Sequence, residues 1–172
     1  MKKLVLVGLA SALLVGCAME PKNVSISEEF DYKAAQNQMA QGKEKLFGSA
    51  FLRQNGGVVV TCAGATVTLY PYTKYTEARL LHKYVLNGRI NSNYRELTTF
   101  TPDIKEFHSL TKTTNCDAQG NFEFNGIKAG RYFVLTNVEW IVPSAYGPLF
   151  EGGYIYKDIT VNKGENKIVL TR

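Results

Sequence analysis

From Lys45 to the C-terminus, hydrophobic and polar positions alternate with a period near two and are broken by turn residues. Leu46–Arg53 reads as a strand, with Gly48 at a point where another backbone approaches. Asn55-Gly56-Gly57 is a turn, and Val58–Cys62 and Ala65–Tyr70 are β-branched runs. In the second run Val67 and Leu69 alternate with Thr66, Thr68 and Tyr70. One face is therefore apolar and the other hydroxyl-rich, as on a half-buried sheet. Leu110–Cys116 alternates more loosely. Asp117–Gly120 then turns the chain into Asn121–Phe124, and Asn125-Gly126 and Ala129-Gly130 turn it again. Arg131–Val142 is a long strand carrying Tyr132, Val134 and the single Trp140. Tyr154–Val161 is its expected partner across a Pro/Gly loop, and Lys163–Asn166 turns into a last strand, Lys167–Thr171. Many short strands at such spacing predict a sandwich or barrel, and the lack of alternating helices argues against a parallel α/β sheet.

Two stretches depart from this pattern. Within residues 71–107, Thr76–Leu86 has helical periodicity, with Leu80, Leu81, Tyr84 and Val85 on one stripe and Asn87-Gly88 as a stop. Asn91–Pro102 is polar and irregular, so 71–107 reads as a partly helical insertion on a β scaffold. Residues 17–44 read as a tether. Ser27 before Glu28-Glu29 is a helix-start signal, and Phe30, Ala34, Ala35 and Met39 form a thin apolar stripe. That helix packs either on the domain or on a partner.

The N-terminus has a different logic. Lys2 and Lys3 precede an apolar run from Leu4 to Val15, followed by Gly16-Cys17. The run is about a dozen residues, too short for a span, which needs roughly 20. Leu14-Val15-Gly16-Cys17 resembles the lipobox of bacterial lipoproteins. That resemblance implies that residues 1–16 are a signal peptide, that Cys17 becomes a lipid-modified N-terminus, and that the protein sits on a membrane outside the cytoplasm. Ala18 stands where inner-membrane lipoproteins commonly carry Asp, so the resemblance points to the outer membrane.

Charge adds little. The chain has 20 basic and 15 acidic residues; losing Lys2 and Lys3 leaves 18 against 15, a net +3. The cations are scattered, with no nucleic-acid footprint. Cysteine usage fits an oxidising compartment. With Cys17 assigned to lipid, Cys62 and Cys116 remain, and a leftover pair there is expected to form a disulfide. Buried thiols or metal ligands are the alternatives. A metal site would want further ligands at short spacing, and the two histidines, His82 and His108, make no such motif.

Thr113-Thr114-Asn115-Cys116-Asp117-Ala118-Gln119-Gly120-Asn121-Phe122-Glu123-Phe124, running on to Gly130-Arg131-Tyr132, resembles the T-x-x-D-x-x-G-x-F-x-F…G-x-Y signature of carboxypeptidase regulatory-like domains. Gly48–Phe51 and Ala63–Pro71 are similar to the opening strands of that family. The resemblance covers about residues 45–171 and implies a transthyretin-like Greek-key β-sandwich of about seven strands. Asp117 and Gly120 supply the tight turn, Phe122 and Phe124 share a core face, and Tyr132 starts a central strand. Such domains often assist folding or bind neighbours, and the fold does not name a function.

Neither histidine has a glutamate at a zinc-peptidase offset. Ser109-Leu110-Thr111-Lys112 fits S-x-x-K but lies in an expected strand and lacks its partner motifs. Nothing in the chain asks for a cofactor or a metal. Tyr75, Arg79, Tyr84 and Arg95 belong to a Tyr/Arg-rich cluster in and beside the insertion. That cluster either packs the insertion on the sandwich or forms a binding face for protein or glycan. The chain therefore reads as a non-enzymatic, lipid-anchored outer-membrane module that binds or scaffolds envelope components. A subunit of a secretion or conjugation apparatus, or an enzyme of unknown type, are the competing readings.

Overall fold

The computed structural model describes residues 22–84 and 98–172. In chain order these hold β1 (Lys22–Ser25), α1 (Tyr32–Met39), β2 (Glu44–Arg53), β3 (Val59–Thr61), β4 (Thr66–Pro71), α2 (Lys74–Tyr84), β5 (Thr98–Thr101), α3 (Lys105–Ser109), β6 (Lys112–Asn115), β7 (Asn121–Ile127), β8 (Gly130–Val142), β9 (Leu149–Val161) and β10 (Glu165–Leu170). The molecule is mostly β, a sandwich of two four-stranded sheets, with β1 and β5 forming a separate pair.

The first sheet is organised around β2. β10 runs parallel along one side of it, Lys45–Ala50 against Glu165–Leu170, and β7 runs antiparallel along the other. β3 shares the β7 side: Ala50 N–H donates to Gly120 O at 3.0 Å, and Ala50 O accepts from Cys62 N–H at 3.0 Å. Both groups of a strand residue point the same way, so β7 and β3 follow one another along one edge of β2. The second sheet has the order β6-β4-β8-β9, all antiparallel.

Period-two alternation builds the core between the sheets. Leu46, Ala50, Leu52, Phe122 and Phe124 from the first sheet meet Val67, Leu69, Tyr132, Val134 and Val138 from the second, all buried. At Gly48 the close approach comes from a side chain, not a backbone. Phe122 lies across from it in register, and a Cβ on Gly48 would collide with the phenyl ring. The Asp117 turn forms as the residues dictate. Asp117 Oδ1 accepts from Gln119 N–H at 2.9 Å and Asn121 N–H at 2.8 Å, and Gly120 takes φ +82°. Cys62 and Cys116 are joined in a disulfide with Cα atoms 5.8 Å apart. It ties the strand edge at β3 to the edge strand β6 of the other sheet.

The insertion covers the outer face of the second sheet. Thr73 caps α2, its Oγ1 accepting from Thr76 N–H at 3.0 Å. Leu80 then packs on Phe133 and Leu135 of β8. A second cluster joins Ile26, Tyr75, Phe100 and Phe107.

The N-terminal segment is more than a tether. β1 pairs parallel with β5, Ile26 is buried, and α1 buries Ala35 completely. α1 starts at Asp31, whose Oδ1 accepts from Ala34 N–H at 2.9 Å, and not at Ser27, whose hydroxyl turns to Glu28. The buried phenol of Tyr132 fastens this segment, donating to Lys128 O at 2.9 Å or Gln38 O at 3.2 Å. α1 hands the chain to β2 at its Glu44 end, so the segment sits at the end of the sandwich opposite Arg53.

Candidate functional site

The residues singled out in the insertion are structural where they can be placed. Tyr75 is fully buried and Arg79 is 6% exposed, so neither presents the open binding face expected from the Tyr/Arg clustering. Helical spacing explains this, because positions four apart share a face and here the face turns inward. Arg79 Nη1 donates to Asp103 Oδ1 at 2.7 Å and Tyr75 Oη at 2.9 Å, and Arg79 Nη2 lies 3.2 Å from His108 Nε2. The guanidinium also stacks over Phe100 and Phe107, 4.3 and 4.7 Å from the ring centroids. Tyr75 Oη donates in turn to Pro102 O at 2.8 Å. The hydrogen bond from Arg79 holds the Asp103 carboxyl below the usual carboxylate range, with His108 assisting. This hub pins α2, the β5–α3 connection and α3 together. Tyr84 closes α2, and its side chain lies outside the described residues, as do Arg95 and Cys17.

A second polar knot binds the insertion to the sheet. Arg131 pairs with Asp158 and with Glu77 at 3.6 Å, and stacks over the Tyr72 ring at 3.8 Å. Tyr72 Oη donates to Glu77 at 3.0 Å. The hydrogen bond to Asp158 raises the Arg131 guanidinium above its ordinary value. All of these groups satisfy one another.

Two grooves open among the described residues: one of about 480 Å³ beside Glu28, Glu29, Tyr32 and Glu106, and one at the Arg53 end that carries the aromatic and cationic groups. A groove of about 540 Å³ runs between the β2–β3 turn (Arg53, Gln54, Asn55), the ends of β8 and β9 (Trp140, Glu151) and Arg172. Trp140 is half-buried, with its inner edge on the main core. Gly152 makes room for it: at φ +95°, a Cβ there would strike the Trp140 ring and Val138 O. Gln54 N–H donates to Val58 O at 2.9 Å and Gly57 N–H to Gln54 O at 2.8 Å, fixing the turn that forms one wall. Arg172 donates to Tyr154 O at 3.1 Å, and partial burial lowers its guanidinium from the ordinary value.

Chemically the groove offers an indole, two guanidiniums, two carboxamides and a carboxylate. Planar polar groups of this kind hydrogen-bond adjacent hydroxyls in pairs, and the π-face of an indole packs against C–H groups. Among the described residues no group of three or more His, Cys, Asp or Glu side chains is placed to hold a metal ion. Sequence reading passed this groove by because its residues come from three distant segments. The available signals were the lone Trp140 and an Arg-Gln-Asn-Gly-Gly turn at positions 53–57.

No protein-family model matches the chain, so the carboxypeptidase regulatory-like resemblance stands on its motifs alone. No curated protein matches it either. Its fold is similar to that of a crystal structure from Pseudomonas aeruginosa described as a candidate carbohydrate binding protein. The two share 23% identity and a TM-score of 0.68, over 84% of this chain and 98% of the other. At that identity the likeness establishes the two-sheet fold.

Proposed function

We propose that the chain is a non-catalytic binding module of the bacterial cell envelope, held in the outer membrane by a lipid on Cys17, which engages glycan in the groove at Trp140. The observation that carries the reading is the groove itself. An indole lies beside two arginines, a glutamate and two carboxamides at an open end of a rigid sandwich. A sugar has an apolar C–H face and an equatorial rim of hydroxyls, and this set of side chains complements both. The lipobox and the oxidised cysteine pair support the envelope address, and the description of the Pseudomonas aeruginosa structure supports the ligand class.

The test is calorimetric titration of the mature chain with oligosaccharides selected on a glycan array. Trp140→Ala is expected to weaken binding at least about tenfold, roughly 1.4 kcal/mol. Arg79→Lys, a change in the structural hub, should leave affinity for the same glycan untouched in folded protein. Binding unaffected by Trp140→Ala, or no glycan bound on the array, would overturn the reading.

A further inference from the structure

The two sheets treat their outer faces differently. On the second, α2 packs Leu80 over Phe133 and Leu135 of β8. On the first, the side chains that alternate away from the core along β2 are Lys45, Phe47, Ser49, Phe51 and Arg53. Phe47 and Phe51 are half-buried, yet neither joins or packs against a buried cluster among the described residues. The register adds Val169 of β10 beside Ser49 and Val59 of β3 beside Arg53, 45% and 44% exposed. An aromatic and aliphatic stripe therefore runs along the middle of an open sheet face.

Charge is arranged across this stripe. β10 and β7 flank β2 on opposite sides, and in the row of Phe47 they contribute Lys167 on one side and Glu123 on the other. Both side chains are exposed, and among the described residues neither forms an ion pair. Two strand spacings of about 4.8 Å each, with a phenyl ring between, hold them apart.

A face with a cation on one flank, an anion on the other and an apolar centre is complementary to itself. We propose that it docks on the same face of a second copy of this chain, about a two-fold axis running along β2. That rotation exchanges the flanks and leaves every row in place. Phe47 meets Phe47 and Ser49 meets Ser49 on the axis, while Lys167 of each copy faces Glu123 of the other. Stacked sheets lie about 10 Å apart, a gap that a lysine and a glutamate span together. An axis across the strands through Ser49 would instead set Lys45 over Arg53 and match no opposite charges, so charge selects the axis along β2. The like charges that meet on that axis lie at the ends of the strand. There Glu165 stands beside Lys45 in register, and Arg53 lies 5.9 Å over the Phe51 ring. The same axis keeps the N-terminal segments of both copies at one end of the pair, which suits two chains held in one membrane by the lipid proposed on Cys17. The face is about 30 Å long and three strands wide, so each copy contributes roughly 400 Å², the size of a transient contact and not of an obligate dimer.

Sedimentation velocity of the full mature chain is expected to show monomer passing to dimer at a concentration on the order of 0.1 mM. Lys167→Glu and Glu123→Lys each set like charges against one another across the axis. Each alone should weaken association at least about tenfold, with the melting temperature unchanged because both side chains are exposed. Mixing the two variants brings opposite charges together at both contacts and should restore the dimer. A wild type that stays monomeric at about 1 mM would overturn the proposal, including the case in which a glycan or another envelope protein is found on the Phe47 face. A dimer indifferent to both single reversals would place the contact elsewhere and overturn it too, as would a mixture that stays monomeric. None of these results touches the glycan reading, because neither Lys167 nor Glu123 lines the Trp140 groove.

Discussion

Arg79 is the residue on which the insertion depends. Burying a guanidinium is costly unless it is paired and hydrogen-bonded, and here Tyr75, Asp103, His108 and two aromatic faces share that duty. The depressed Asp103 carboxyl makes the arrangement pH-dependent. The folded state holds the charged form more tightly than the unfolded chain does. Its contribution is therefore complete above the unfolded value of about 4 and is lost as pH falls through the lower folded value. Asp103→Asn is expected to reduce stability at neutral pH and to flatten the decline in melting temperature between about pH 4 and pH 2. Thermal unfolding across that range checks it, and parallel acid limbs for wild type and variant would contradict it. From the sequence alone Arg79 was one of several cations among tyrosines. Its burial follows from where α2 lands, which no local pattern encodes.

The strands were the legible part of this chain, and physics explains where legibility stopped. Val67 and Leu69 against Thr66 and Thr68, or Phe122 and Phe124 against Glu123, state their facing directly through alternation. β9 begins at Leu149, inside what reads as a Pro/Gly loop, because Gly152 and Gly153 are accommodated in register opposite β8. The tether reading failed to anticipate β1, a four-residue strand that pairs with the distant β5 and packs Val24 on the Tyr75/Phe107 cluster. The Trp140 groove is assembled from three separate segments, and no single window of sequence contains it. Pairing of Cys62 with Cys116 was accessible from compartment logic, and the structure adds what it joins: one edge of each sheet, across a separation of 54 residues. Replacing both cysteines by alanine is expected to cost about 3–4 kcal/mol in denaturant-unfolding free energy. A loss below about 1 kcal/mol would mean that the hydrophobic interlayer holds the edges together without it.

On the scale of the whole molecule, the N-terminal segment and the groove lie at opposite ends of β2, a strand of ten residues and so about 30 Å long. The lipid proposed on Cys17 would sit five residues before β1. Cys17→Ser is expected to shift the protein from the membrane fraction to the soluble periplasmic fraction, or to leave uncleaved precursor. Intact-mass measurement of wild type showing an unmodified cysteine would refute the anchor. The parallel pairing of β10 with β2 has a consequence in time. β2 is the spine of its sheet, yet the strand along one side of it, over Lys45–Ala50, is β10, the last in the chain. Until Leu170 has been synthesised, that spine has a bare edge and the first sheet cannot close. Contacts between such distant parts of a chain form slowly. A chain truncated before Glu165 would accordingly leave β2 with an unpaired edge in an otherwise assembled sandwich, a template for pairing with another chain.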